Sequence, residues 1–193
     1  MPFDANLNFN PKLYMKTPAF FVILFALALS GRAQVGGSYQ QFLHSDFADF
    51  FHVSEIRHRD SAACEIRDIK TGAFQDYISL VFVTDTASGI LRSAELDVDR
   101  EWISGETTAD LSRDLVKSFL LDLIATKDQP KAMAAGELLY NHKPTKDAFA
   151  LGLQDVFLDK KDSLTQDFSL CRVTATNALQ QGKRVFVMKI SGK

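Results

Sequence analysis

Between residues 93 and 102 the chain reads SAELDVDREW, which sets four carboxylates, Glu95, Asp97, Asp99 and Glu101, at every second position. Carboxylates can ligate a divalent cation, pair with a basic partner or move protons. Along a strand, residues on one side lie roughly 6.5–7 Å apart, too wide for neighbours to share one ion. Calcium takes about six to eight oxygens and draws them from a tight loop, and this stretch lacks that loop's glycine and distal glutamate. The spacing therefore predicts no metal site. It predicts a solvated sheet face whose charges meet cross-strand Lys or Arg and discourage aggregation, with a surface for a cation or a basic partner as its other use.

His44, His52 and His58 fall close together with Asp46 and Asp60 beside them, and His142 stands apart. Histidine with aspartate can bind zinc or exchange protons. However, His44 and Asp46 are two apart on a predicted helix and do not share a face. His52 lies about two turns beyond His44, and no HExxH occurs. Surface or packing roles follow. Cys64 and Cys171 are the only cysteines, and neither has a second ligand at CxxC or CxxH spacing. In an oxidising compartment such a pair predicts one disulfide, which would stabilise by roughly 4–5 kcal/mol for so long a loop. Two separate buried thiols are the alternative. There is no G-x-S-x-G elbow, no S-x-x-K with a K-T-G box and no glycine-rich phosphate loop. No motif calls for a cofactor.

Tyr39, Phe42, Leu43, Phe47, Phe50 and Phe51 recur at helical spacing, which predicts one N-terminal helix docked on a core. Residues 62–69, 74–84 and 90–103 read as a three-strand antiparallel meander with glycine-bearing turns between them. In the third strand Ala94, Leu96, Val98 and Trp102 point one way and the four acids the other. Leu111, Leu115, Val116, Phe119, Leu120, Leu123 and Ile124 form a helical stripe. Pro130 and Pro144 open two further helices. Ala132, Met133, Leu138 and Leu139 line the first, and Phe149, Leu153, Val156 and Phe157 the second. A two-strand hairpin at about residues 168–175 and 184–190 completes the same sheet. This order predicts an α+β fold with a mostly antiparallel sheet. The disulfide would tie its first strand to its fourth.

Ahead of these elements stand the three parts of a secretory signal. Lys16 follows Met15, residues 19–29 are unbroken apolar sequence, and Gly31-Arg32-Ala33 offers small residues at −3 and −1. A membrane span needs about 20 apolar residues, more than this run supplies. The reading assigns residues 1–14 to an upstream extension with translation starting at Met15, residues 15–33 to the signal, and residues 34–193 to a single domain. The predicted location is outside the cytoplasm, periplasmic or extracellular. The chain's net charge is −2, and excluding Lys12, Lys16, Arg32 and Asp4 moves it to −4. With no basic stripe, nucleic acid is not an expected partner. The expectation is an exported, non-enzymatic binding or assembly module for an unidentified protein or small molecule, without a membrane span in its mature form. A secreted hydrolase built on dispersed histidines and carboxylates is the alternative. An exposed apolar groove or patch of several hundred Å² would distinguish the first, and a pocket uniting two or more of the four histidines with an acid the second.

Overall fold

A computed structural model describes residues 34–51, 53–61, 64–69 and 77–193, with the backbone alone for residues 54–61 and 64–69. The chain divides into two units, Met1–Gly31 and Arg32–Lys193, and all described residues belong to the second. The segments read as upstream extension and signal lie outside the described residues.

The fold is α+β. Two short helices, α1 (Tyr39–Leu43) and α2 (Asp46–Phe50), precede strands β1 (Val53–Ser61), β2 (Cys64–Ile69), β3 (Ile78–Thr84) and β4 (Leu91–Asp99). Helices α3 (Arg100–Ser104), α4 (Ala109–Leu123), α5 (Gln129–Asn141) and α6 (Ala148–Phe157) follow. Strands β5 (Ser163–Asp167), β6 (Cys171–Gln180) and β7 (Lys183–Gly192) come last. All seven strands join one sheet in the order β1-β2-β3-β4-β7-β6-β5, every pair antiparallel. The meander and the C-terminal hairpin thus share a sheet, as their patterns predict.

The helices and one sheet face enclose a core rich in aromatic rings. Phe82 on β3 meets Tyr39 and Phe42 of α1 at 5.3 and 4.9 Å between centroids, and Phe47 of α2 meets Phe119 of α4 at 5.5 Å. Ala94, Leu96 and Val98 of β4 and Phe186, Met188 and Ile190 of β7 are fully enclosed in the same cluster. Helix α5 comes close enough to α4 that a Cβ on Gly136 would lie 2.7 Å from Cγ of Lys117. The β6–β7 connection is two residues, Gln181 (φ 49°) and Gly182 (φ 81°), both left-handed as a tight twisted hairpin requires.

Two boundaries that differ from the sequence reading do so for a local reason, and two strands are added. The predicted N-terminal helix is two, because the Ser45 hydroxyl accepts a hydrogen bond from Ala48 N–H at 3.3 Å and restarts the helix. The third meander strand stops at Asp99, whose carboxylate accepts from Glu101 N–H at 2.9 Å and caps α3. Strands β1 and β5 were not expected from the pattern. They form the two edges of the sheet, and their sequences, VSEIRHRDS and SLTQD, are mostly polar, which an edge tolerates.

Candidate binding groove

The acidic strand is not the solvated face that its alternation predicts. Asp97 is 8% exposed and Asp99 4% exposed, while Glu101 is exposed and sits on α3 rather than on β4. The sheet supplies the reason. Strand β4 is central, so each acid is flanked on both sides by side chains of β3 and β7 at cross-strand distance. Glu95 pairs with Lys189, its register partner on β7, at 3.1 Å. Asp99 pairs with Lys183 at 3.4 Å. Asp97 accepts from the Ser79 hydroxyl at 3.3 Å, and its second oxygen, Oδ1, has no hydrogen-bond partner among the described residues. Burial, reinforced by the negative charge of Glu95, pushes the Asp97 carboxyl up to about 6 against the opposing pull of Ser79, Gln180 and Lys189. Trp102 is buried as expected, though from α3, where it stacks on Tyr77 at 5.1 Å.

The predicted Cys64–Cys171 bridge is corrected by the register. Cys64 is paired with Val83 on β3, Val83 with Ser93 on β4, Ser93 with Ser191 on β7, and Cys171 with the adjoining Gly192. Four strand spacings separate the two backbones, roughly 19 Å, whereas a disulfide needs Cα atoms within about 7 Å. Cys171 is a free, buried thiol. Burial and the nearby Asp128 push it up to about 11, which suppresses the reactive thiolate.

The histidines are not gathered into a site among the described residues. His44 closes α1 and His142 closes α5 in the left-handed region, both exposed. His58 is described only as backbone of β1, and His52 lies outside the described residues. No three His, Cys, Asp or Glu among the described residues converge as a metal ion would require. No helix among them is long and apolar enough to cross a membrane.

What the structure does build is a groove of about 440 Å³ between α2, α4 and α5. Helix α2 and the residue after it contribute Asp46, Phe47, Phe50 and Phe51. Asp114, Ser118, Leu121 and Asp122 come from α4, at the spacing of one helical stripe. Gln129 and Met133 of α5 complete it. Its walls are locked by hydrogen bonds. Asp122 accepts from Phe47 N–H at 2.9 Å, satisfying an unpaired donor in the first turn of α2. Gln129 is buried and donates to Leu121 O at 2.6 Å and Ile124 O at 2.8 Å, which satisfies the last carbonyls of α4. Phe47 and Phe51 turn into the core, leaving Phe50 66% exposed on the rim, and Met133 opposite is 52% exposed.

The sequence reading placed both Phe50 and Met133 on core faces. The signal that separates them is Ser45-Asp46, a cap that resets the phase of the helix and carries Phe50 off the buried side. On α5 the inward residues are Ala132, Ala135, Gly136, Leu138 and Leu139, which rotates Met133 outward. The chain matches no protein-family model, no curated protein and no solved structure.

Proposed function

We propose that this chain is an exported, non-enzymatic binding module that receives its partner in the α2–α4–α5 groove. The observation that carries the reading is the pair of large apolar side chains left exposed across a concave, otherwise well-ordered surface. Phe50 and Met133 both line this groove and both remain more than half exposed, which leaves apolar surface for a partner to cover. Methionine adapts its shape to what it meets, and a phenylalanine presents a rigid ring. The three-part segment over residues 15–33 supports the export half of the proposal.

The two halves have separate tests. Binding is tested with Nile red, a neutral apolar dye. Its fluorescence should rise on addition of the native protein and fall to background with Phe50→Ser combined with Met133→Ser. Both positions are exposed, so the double variant should melt within a few degrees of the parent. An undiminished signal from the folded double variant would remove the groove from consideration. Export is tested by mass spectrometry of protein collected outside the cytoplasm. The proposal expects an N-terminus at Gln34, and an intact Met1 or Met15 would refute it.

A further inference from the structure

Resting on the groove being the binding site, we infer that its occupant is a basic amphipathic helix of a partner protein. The rim is one-signed. Asp46, Asp114 and Asp122 line it together with the apolar side chains, and no Lys or Arg does among the described residues. The cations of α4 are engaged elsewhere: Arg113 pairs with Asp110 at 2.6 Å and Lys117 with Glu137 at 3.2 Å. Asp46 and Asp114 make no ion pair among the described residues, so their charges stand ready for a partner's.

The dimensions fit a helix. The α4 wall runs from Asp114 to Asp122, about 12 Å at helical rise, which matches roughly two turns of an occupant helix. Such a helix laid in a groove presents apolar residues at i, i+3 or i+4 and i+7. Phe50 and Met133 take those residues, while lysines or arginines flanking the stripe reach Asp46 and Asp114. The charge argues against the two other surfaces that could cover an apolar patch. An anionic membrane would be repelled by this rim. A second copy meeting it face to face would set aspartate against aspartate, because a twofold interface repeats the same patch on both sides.

The test uses the full chain and three fluorescein-labelled 18-residue peptides, read by fluorescence anisotropy. One is an amphipathic Leu/Lys helix, one carries Leu/Glu in the same order, and one Leu/Gln. The Leu/Lys peptide should bind saturably and at least tenfold more tightly than the other two. Raising sodium chloride from 50 to 500 mM should weaken it severalfold, since screening acts on the exposed charges. Asp46→Asn with Asp114→Asn should weaken it about tenfold, and Phe50→Ser with Met133→Ser should abolish binding. If Leu/Gln binds as tightly as Leu/Lys and still depends on Phe50 and Met133, the groove reading stands and the basic occupant is wrong. If Leu/Lys binding is absent, or survives loss of Phe50 and Met133, both fail. A concentration-dependent dimer in sedimentation velocity that Phe50→Ser dissolves would replace the partner helix by a second copy. Co-sedimentation with phosphatidylglycerol vesicles that Phe50→Ser abolishes would replace it by a membrane.

Discussion

Strand β4 has two interiors, one on each side. Toward the helices, Ala94, Leu96 and Val98 are wholly enclosed among apolar neighbours. On the other side Asp97 and Asp99 are almost as well enclosed, beside Val187 and Val185 in register, yet their polar partners are Ser79 and Lys183, with Lys189 on the neighbouring Glu95. One side is closed by hydrophobic packing, which is non-directional. The other is closed by cross-strand pairs that must satisfy specific lone pairs and charges. At Asp97 that condition is only half met. Enclosure and apolarity are therefore separate properties of a sheet face.

The comparison can be broken at several depths. Leu96→Ala, on the apolar side, should destabilise by roughly 2–5 kcal/mol, the range for truncating a fully buried leucine. Chemical denaturation would measure it, and a loss below about 1 kcal/mol would mean that the core does not close over this strand.

At the end of the strand, Arg100 fastens the sheet to a helix. Its guanidinium donates to the carbonyls of Val156 (2.7 Å) and Phe157 at the end of α6 and to Asn177 on β6, and lies over the Phe186 ring. Arg100→Met should cost about 2 kcal/mol because it strands the Phe157 carbonyl and the Asn177 Oδ1, whereas Val156 O keeps the Asn177 and Asp159 N–H donors. Arg100→Lys should recover little of this, since an ammonium cannot form the planar fork. Full recovery by lysine would show that charge alone holds the contact.

On the polar side the sign reverses. The folded protein holds the Asp97 proton up to about pH 6, against 3.8 for an ordinary aspartate. The folded state therefore binds protons more tightly than the unfolded one. The cost of ionised Asp97 is absent below pH 3.8, grows between 3.8 and 6, and is complete above 6. Asp97→Asn should accordingly stabilise by about 1–2 kcal/mol at pH 7, and the advantage should vanish near pH 4. Melting temperatures of both proteins at the two pH values test it, and destabilisation at pH 7 would sink the account.

A reactivity measurement comes next. Cys171 should resist Ellman's reagent in the native protein at pH 8 and react once denatured, because burial holds its thiol up to about 11. Rapid native labelling at Cys171, located by peptide mapping, would contradict its burial. The smallest effect belongs to Glu101, exposed on α3. Glu101→Gln should move stability by no more than about 0.5 kcal/mol, in contrast to its former companions on the acidic alternation.

These contrasts show where the sequence was informative. Apolar periodicity located β3, β4, β7 and the three long helices, because each buries an apolar face whose period is its own structure's period. The edge strands β1 and β5 were invisible to that pattern, since an edge is held by its backbone ladder and can carry polar side chains throughout. Asp97 was legible as polar but not as enclosed. Its environment comes from β3 and β7, which pattern along β4 cannot report. The groove was illegible for a related reason. Phe50, Asp114 and Met133 become neighbours only when three helices pack, and no spacing within one segment encodes that.

The sheet order has a consequence for how the molecule is made. Strands β1 to β4 form one ribbon of neighbours in sequence, and β5 to β7 another. A single ladder, from Ser93–Ser191 to Asp99–Val185, joins the two. Each ribbon can zip up from local turns, but the joining ladder must close a loop that contains all the long helices, and the entropy of that closure precedes any reward from it. The β4–β7 seam is thus the slow gate of assembly. Substitutions along it are expected to slow folding more than substitutions elsewhere, which stopped-flow refolding would measure.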